Sequence, residues 1–160
     1  MENDILFMRE ALTLAQAAAD EWETPVGAVI VRDGKVIATG RNRREIGKNA
    51  LYHAEIEAID NACKTLGGWR LPGCTLYVTL EPCPMCTGAI INSRIERVVF
   101  GASDTKAGSM GSVIDLTQLP YNHKPSVTSG VLQEECAQML SVFFKNLRQH
   151  KKEIQIKNPS

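Results

Sequence analysis

Between residues 26 and 101 the chain alternates short β-branched runs with helical patterns, and that alternation leaves few architectures open. Val26 to Val31 and Val36 to Thr39 are two strand-like runs joined through Asp33-Gly34, a pair that predicts a tight hairpin. A polar loop from Arg41 to Leu51 follows, and then a helical pattern begins at His53, with Ile56, Ile59, Cys63 and Leu66 on one face and Gly67-Gly68 as its stop. Thr75 to Leu80 reads as a buried strand, Pro82 to Asn92 as a helix and Arg97 to Gly101 as another strand. Strands separated by helices predict a partly parallel sheet covered on both faces.

Helices are also predicted at both ends. Ile5, Met8, Leu12, Ala15 and Ala19 recur at spacings of three and four behind the possible caps Asn3 and Asp4, and Trp22 and Pro25 end that helix. Cys136, Met139, Phe143 and Leu147 mark a final helix that runs into a basic tail and frays near Pro159. The intervening stretch, Ala102 to Thr128, is rich in Gly, Ser and Pro and weakly periodic, as expected of a functional loop with short embedded elements that frames a site. With 160 residues and no internal linker, the prediction is one domain over 1–160, its basic C-terminal helix and tail starting at about 133.

Charge and cysteine usage narrow the function. Eighteen basic and eighteen acidic residues give a formal net charge of zero, which argues against coating nucleic acid by charge alone. Any such partner must meet a local patch: Arg41, Arg43, Arg44 and Lys48 form one cluster and Lys145, Arg148, Lys151 and Lys152 another. The bland reading of both is a solvated loop and a helix end. The start of the chain is acidic and no apolar run approaches the roughly 18 residues of a membrane span, so the predicted location is the cytoplasm, with no membrane partner. Five cysteines in a reducing compartment suggest a metal or a catalytic role before a disulfide framework.

The chemistry lies in His53-Ala54-Glu55 and Pro82-Cys83-Pro84-Met85-Cys86. His53, Cys83 and Cys86 are three donors of the right softness for zinc, the cysteines at i and i+3 of a helical turn. A structural zinc site is normally closed by four protein ligands, whereas a catalytic one leaves the fourth position open. Prolines suit a first helical turn, whose unpaired N–H groups favour thiolates. Zinc acidifies a bound water, but two thiolates cancel its formal charge, so a nearby carboxylate that takes the proton becomes valuable. Glu55, two residues from His53, can converge on the same pocket if the helix starts there. Cys-x-x-Cys alone would equally suit a redox pair or two core residues; its combination with His-x-Glu selects zinc. Cys63, Cys74 and Cys136 read as small buried hydrophobes.

His-Ala-Glu with Pro-Cys-x-x-Cys resembles the signature of the cytidine deaminase-like superfamily, a pattern known from zinc deaminases that act on bases taken out of their stack. More closely, the chain is similar to bacterial tRNA-specific adenosine deaminases. Similar segments are Pro25 to Val29, Asn42 with Arg44, Trp69-Arg70-Leu71, Thr79 to Cys83, Phe100 to Asp104 and Phe143-Phe144-Lys145. The resemblance implies an α/β fold, a three-layer α/β/α sandwich around a five-stranded mixed sheet. It also implies a homodimer with one Zn2+ per subunit and conversion of the wobble adenosine of a tRNA anticodon loop to inosine. It assigns base reading to Asn42 and the backbone at Ala54, flanking-nucleotide contacts to the loop with Asp104 and Lys106, and an RNA-facing role to the last helix, including Arg148.

Two residues depart from the pattern: Tyr52, where a small residue is common, and Pro84, where Val or Ala is usual. Two other functions stay open. The metal motif does not report the substrate, so deamination of free guanine, cytosine or a nucleotide uses the same residues; the basic last helix and the long loop favour RNA. A noncatalytic RNA-binding module with closed structural zinc needs a fourth ligand from Cys63, Cys74, Cys136, His123 or His150.

Overall fold

Asp33 and Gly34 both take positive φ, 52° and 74°, and turn strand β1 (Gly27–Arg32) back into β2 (Lys35–Arg41) as the sequence predicts. The structure is a computed structural model that describes residues 2–158; the expected fraying at Pro159 lies outside them. Helix α1 (Glu2–Asp20) precedes the hairpin, and α2 (Ala54–Leu66), β3 (Cys74–Leu80), α3 (Pro84–Asn92) and β4 (Arg97–Ala102) follow. A 3-10 turn at Leu116–Gln118, a short edge strand, β5 (Ser126–Thr128), and the long helix α4 (Gln133–Lys157) complete the described elements. The five strands lie in the order β2-β1-β3-β4-β5, antiparallel from β2 to β3 and parallel from β3 to β5. This is the expected mixed sheet.

Alternation along the central strands divides the core in two. Ala28, Ile30, Leu76, Val78, Val98 and Phe100 point to the face covered by Ala54, Ala58 and Ala62 of α2 and Ile90 of α3. Val29, Val31, Tyr77 and Val99 point the other way, against Met8 and Ala11 of α1 and Cys136 of α4. Helices thus cover both faces, which makes the three-layer sandwich.

Three local expectations need correction. Asp4 is not a cap: α1 begins at Glu2, and Asp4 lies inside it, buried, accepting from the Arg97 guanidinium at 2.8 and 2.7 Å and from the Tyr77 hydroxyl at 2.7 Å. That anchor rotates α1, so Ile5 is exposed while Met8, Ala11, Ala15 and Ala18 are buried. On α2 the buried stripe is Ala54, Glu55, Ala58 and Ala62, not the larger residues one position on. The backbones meet too closely for bulk: a Cβ on Gly40 of β2 would overlap Ala54 and Ala58. Finally, the third helix starts at Pro84, with Cys83 outside it as N-cap and Pro84 in the first turn, the position where its missing N–H costs nothing.

Candidate active site

Two helix starts build the metal site. His53 is the N-cap of α2 and Cys83 the N-cap of α3, both with extended backbone (φ −88°, ψ 153° and φ −75°, ψ 176°). Neither side chain caps its own helix, so both are free to point into the space between the two ends. Cys86 sits one turn into α3, fully buried, and its Sγ meets His53 Nδ1 at 3.6 Å; Cys83 Sγ meets the same nitrogen at 3.7 Å. Tetrahedral zinc with Zn–S of about 2.3 Å and Zn–N of about 2.0 Å separates sulfur from nitrogen donors by roughly 3.6 Å, which both sulfur–nitrogen distances match.

All three donor atoms lie within 4.8 Å of one another, and among the described residues no fourth His, Cys, Asp or Glu joins the cluster. The other candidates are engaged elsewhere. His123 Nε2 contacts the Ile95 carbonyl at 2.7 Å, His150 stacks on Trp22, Cys74 and Cys63 face the carbonyls of Pro72 and Trp69, and Cys136 packs beneath Gly101. Three protein donors leave room for a fourth, exchangeable ligand, which is the arrangement of a catalytic zinc. The two thiols are coupled: the hydrogen bond from Cys86 brings Cys83 down to about 4, while the same bond and burial push Cys86 up. His53 is raised, chiefly by its bond to Cys83.

Glu55 occupies the second position of α2, 4% exposed, and burial pushes its carboxyl up to about 7. It lines a pocket of about 460 Å³ together with His53, Cys83, Asn42 and Ala54, with Asp104 and Lys106 along one side. Of the residues expected at the site, two do not line this pocket: Cys86, which is buried with the other donors, and Arg148. Arg148 is exposed on α4, one turn beyond Phe144, and it is Phe144 and Leu140 of that helix that line the pocket. Tyr52 is also not part of the lining: its ring lies against Gly47 in the polar loop. Within the first basic cluster, Arg41 pairs with Glu21 at 2.6 Å and Arg43 with Glu57 at 3.3 Å, leaving Arg44 to face the pocket.

Sequence reasoning missed two buried carboxylates. Glu81, between β3 and Cys83, accepts from the amides of Asp104 and Met110 at 3.0 Å and of Ser112 at 3.1 Å, and from the Ser112 hydroxyl. Burial raises its pKa, but these donors outweigh burial and hold it below the usual range. It therefore fixes the loop that carries Asp104 and Lys106. Asp104 in turn spends Oδ1 on the amides of Lys106 and Ala107, a turn within the loop. Glu23, fully buried, accepts from the amides of Glu45 and Ile46 at 3.0 and 2.7 Å and so holds the polar loop that carries Arg44. Apart from the Ser112 hydroxyl, the partners of both are backbone groups, which leave no mark in a sequence. The only available signal was a glutamate flanked by strand and proline.

Fold and site together define a zinc-dependent deaminase. Residues 1–102 match the family described as the cytidine and deoxycytidylate deaminase zinc-binding region, and the chain belongs to that family. It is similar, with 53% identity over 153 residues covering 95% of both chains, to a tRNA-specific adenosine deaminase of Bacillus subtilis. A solved structure from a study of A-to-I editing by tRNA:A34 deaminases superposes with a TM-score of 0.80 at 47% identity, over 84% of this chain and 98% of that one. A guanine deaminase of Bacillus subtilis is more distant, with a TM-score of 0.61 at 34% identity over 90% and 92% of the chains.

Proposed function

We propose that this chain deaminates adenosine to inosine at the wobble position of a tRNA anticodon loop, with His53, Cys83 and Cys86 as zinc ligands and Glu55 as the catalytic acid and base. The observation that carries the reading is Glu55 buried beside a three-donor cluster on the floor of a pocket large enough for a base. Similarity to tRNA adenosine deaminases over almost the whole chain supports the choice of substrate.

When bound, zinc supplies a Lewis acid that acidifies the water used in the hydrolysis. Glu55 takes a proton from that water as it adds to the adenine carbon bearing the amine. It passes the proton to the adjacent ring nitrogen and then carries the second to the departing ammonia, leaving inosine. Asn42, 6% exposed at the pocket wall, and the backbone at Ala54 read the base edge. Arg44, Lys106 and, farther out, Arg148 meet the phosphates on either side. A target base must leave its stack to reach the pocket floor, so an unpaired loop is the cheap substrate.

The same reading takes residues 1–160 as one deaminase domain with a basic C-terminal helix and tail, working in the cytoplasm as a homodimer. No described helix is long and apolar enough to cross a membrane. Leu51, Tyr52, Val113 and Ile114, apolar side chains exposed on the two long loops, support self-association, which sedimentation measures.

The test of substrate is inosine and ammonia formation from a tRNA with wobble adenosine, the same tRNA with guanosine there, free adenosine and free guanine. Turnover of the first alone is the expected result. Turnover of free guanine would keep the zinc chemistry and move the enzyme to free bases.

A further inference from the structure

Of the six residues between α1 and the hairpin, the first four each meet a different part of the site's surroundings. Glu21 pairs with Arg41, at the end of β2. Trp22 adopts φ 62°, a left-handed conformation costly for a bulky side chain, which places its ring against α4. There it stacks on the His150 imidazole, centroids 3.9 Å apart and planes 10° from parallel, and meets the Phe143 ring at 6.3 Å. Glu23, through the amides of Glu45 and Ile46, holds the polar loop. Thr24 lines the pocket itself.

We propose that this segment is a brace for substrate RNA, with Trp22 and Glu23 as positioning residues that act through two separate arms. The inference rests on the tRNA reading above. Through Trp22 the brace sets where α4 lies over the pocket mouth, and hence where Phe144 and Arg148 meet the RNA. Through Glu23 it sets the loop that presents Arg44 and the adjoining Asn42. An ordinary connector of this length needs neither a strained aromatic nor a buried carboxylate. Loss of either costs backbone energy or leaves buried polar groups unpaired, and the geometry around them makes both costs serve the two RNA-facing elements.

Glu23→Gln keeps the size of the side chain but presents an amide hydrogen to one of the two N–H groups, so it releases the loop without opening a cavity. Trp22 is 41% exposed, so Trp22→Ala removes the stack without hollowing the core. The test is equilibrium binding of a wobble-adenosine anticodon stem-loop to zinc-loaded protein carrying Glu55→Ala to prevent turnover, with zinc content and Tm measured alongside. Each variant is expected to keep its zinc and weaken binding about tenfold, and Trp22→Phe, which restores an aromatic contact, to recover most of the loss. The effects should not add to those of the residues they act through. Trp22→Ala in an Arg148→Ala background, and Glu23→Gln in an Arg44→Ala background, should each change Kd by less than about twofold.

Binding unchanged in both single variants, or full additivity in both cycles, overturns the brace. If Arg148→Ala and Arg44→Ala themselves leave binding intact, what fails is the assignment of these surfaces to RNA. Weakened binding in those two with normal binding in Trp22→Ala and Glu23→Gln rejects the brace alone.

Discussion

Ser112 donates twice to Glu81, its amide to Oε2 at 3.1 Å and its hydroxyl to Oε1. One buried side chain thus ties the loop after β4 to the residue that precedes the Pro-Cys turn of the metal site. Glu81→Gln presents an amide hydrogen to at least one of the groups that now donate to Glu81. The expected loss is about 1–3 kcal/mol, concentrated in the loop. Hydrogen exchange at the amides of Asp104, Met110 and Ser112 should accelerate, with exchange in β1 unchanged. Equal protection in wild type and variant would show that the loop does not depend on Glu81.

Cys86 is fully buried within the sandwich and is one of only two thiols at the site. Cys86→Ala removes a ligand and leaves two, so zinc should be lost and stability with it. The check is metal content by atomic emission together with Tm in the presence of a chelator. Chelation should lower the Tm of the wild type and leave that of Cys86→Ala where it is.

The Arg97 guanidinium holds the Asp4 carboxyl below its ordinary value of 3.8, the Tyr77 hydroxyl adding to the effect. Because the folded-state value lies below the unfolded one, this anchor contributes fully above pH 3.8 and is lost as the pH falls through the lower, folded value. Urea unfolding of wild type and Asp4→Asn at about pH 7 and about pH 3 tests it. The wild type should be the more stable at neutral pH and the gap should shrink in acid. A gap that widened in acid would contradict the sign.

The parts of the fold written in local chemistry were legible in the sequence. Asp33-Gly34 specifies its turn by itself, Gly67 ends α2 with φ 74°, and the three donors that could hold a metal ion stand out by type and spacing. What was misread depends on partners far along the chain. Asp4 looks like a cap until Tyr77 and Arg97, 73 and 93 residues away, are brought to it. The alanine stripe of α2 looks subordinate to its isoleucines until Gly40 allows the backbones to touch. Glu23 and, apart from the Ser112 hydroxyl, Glu81 bind backbone amides, which carry no residue identity. The RNA-facing role of Arg148 came from the family resemblance, and its helix reaches the pocket through Leu140 and Phe144.

Glu55→Ala tests the central claim most directly, because it separates metal binding from proton transfer in one protein. The measurement is zinc content and inosine formed in wobble-adenosine tRNA by the purified variant beside the wild type. Zinc should stay at one ion per chain while turnover falls by about a thousandfold, within the range general acid–base catalysis supplies. Retained activity, or a variant that no longer holds zinc, would contradict the assignment of Glu55 as the group that moves the protons.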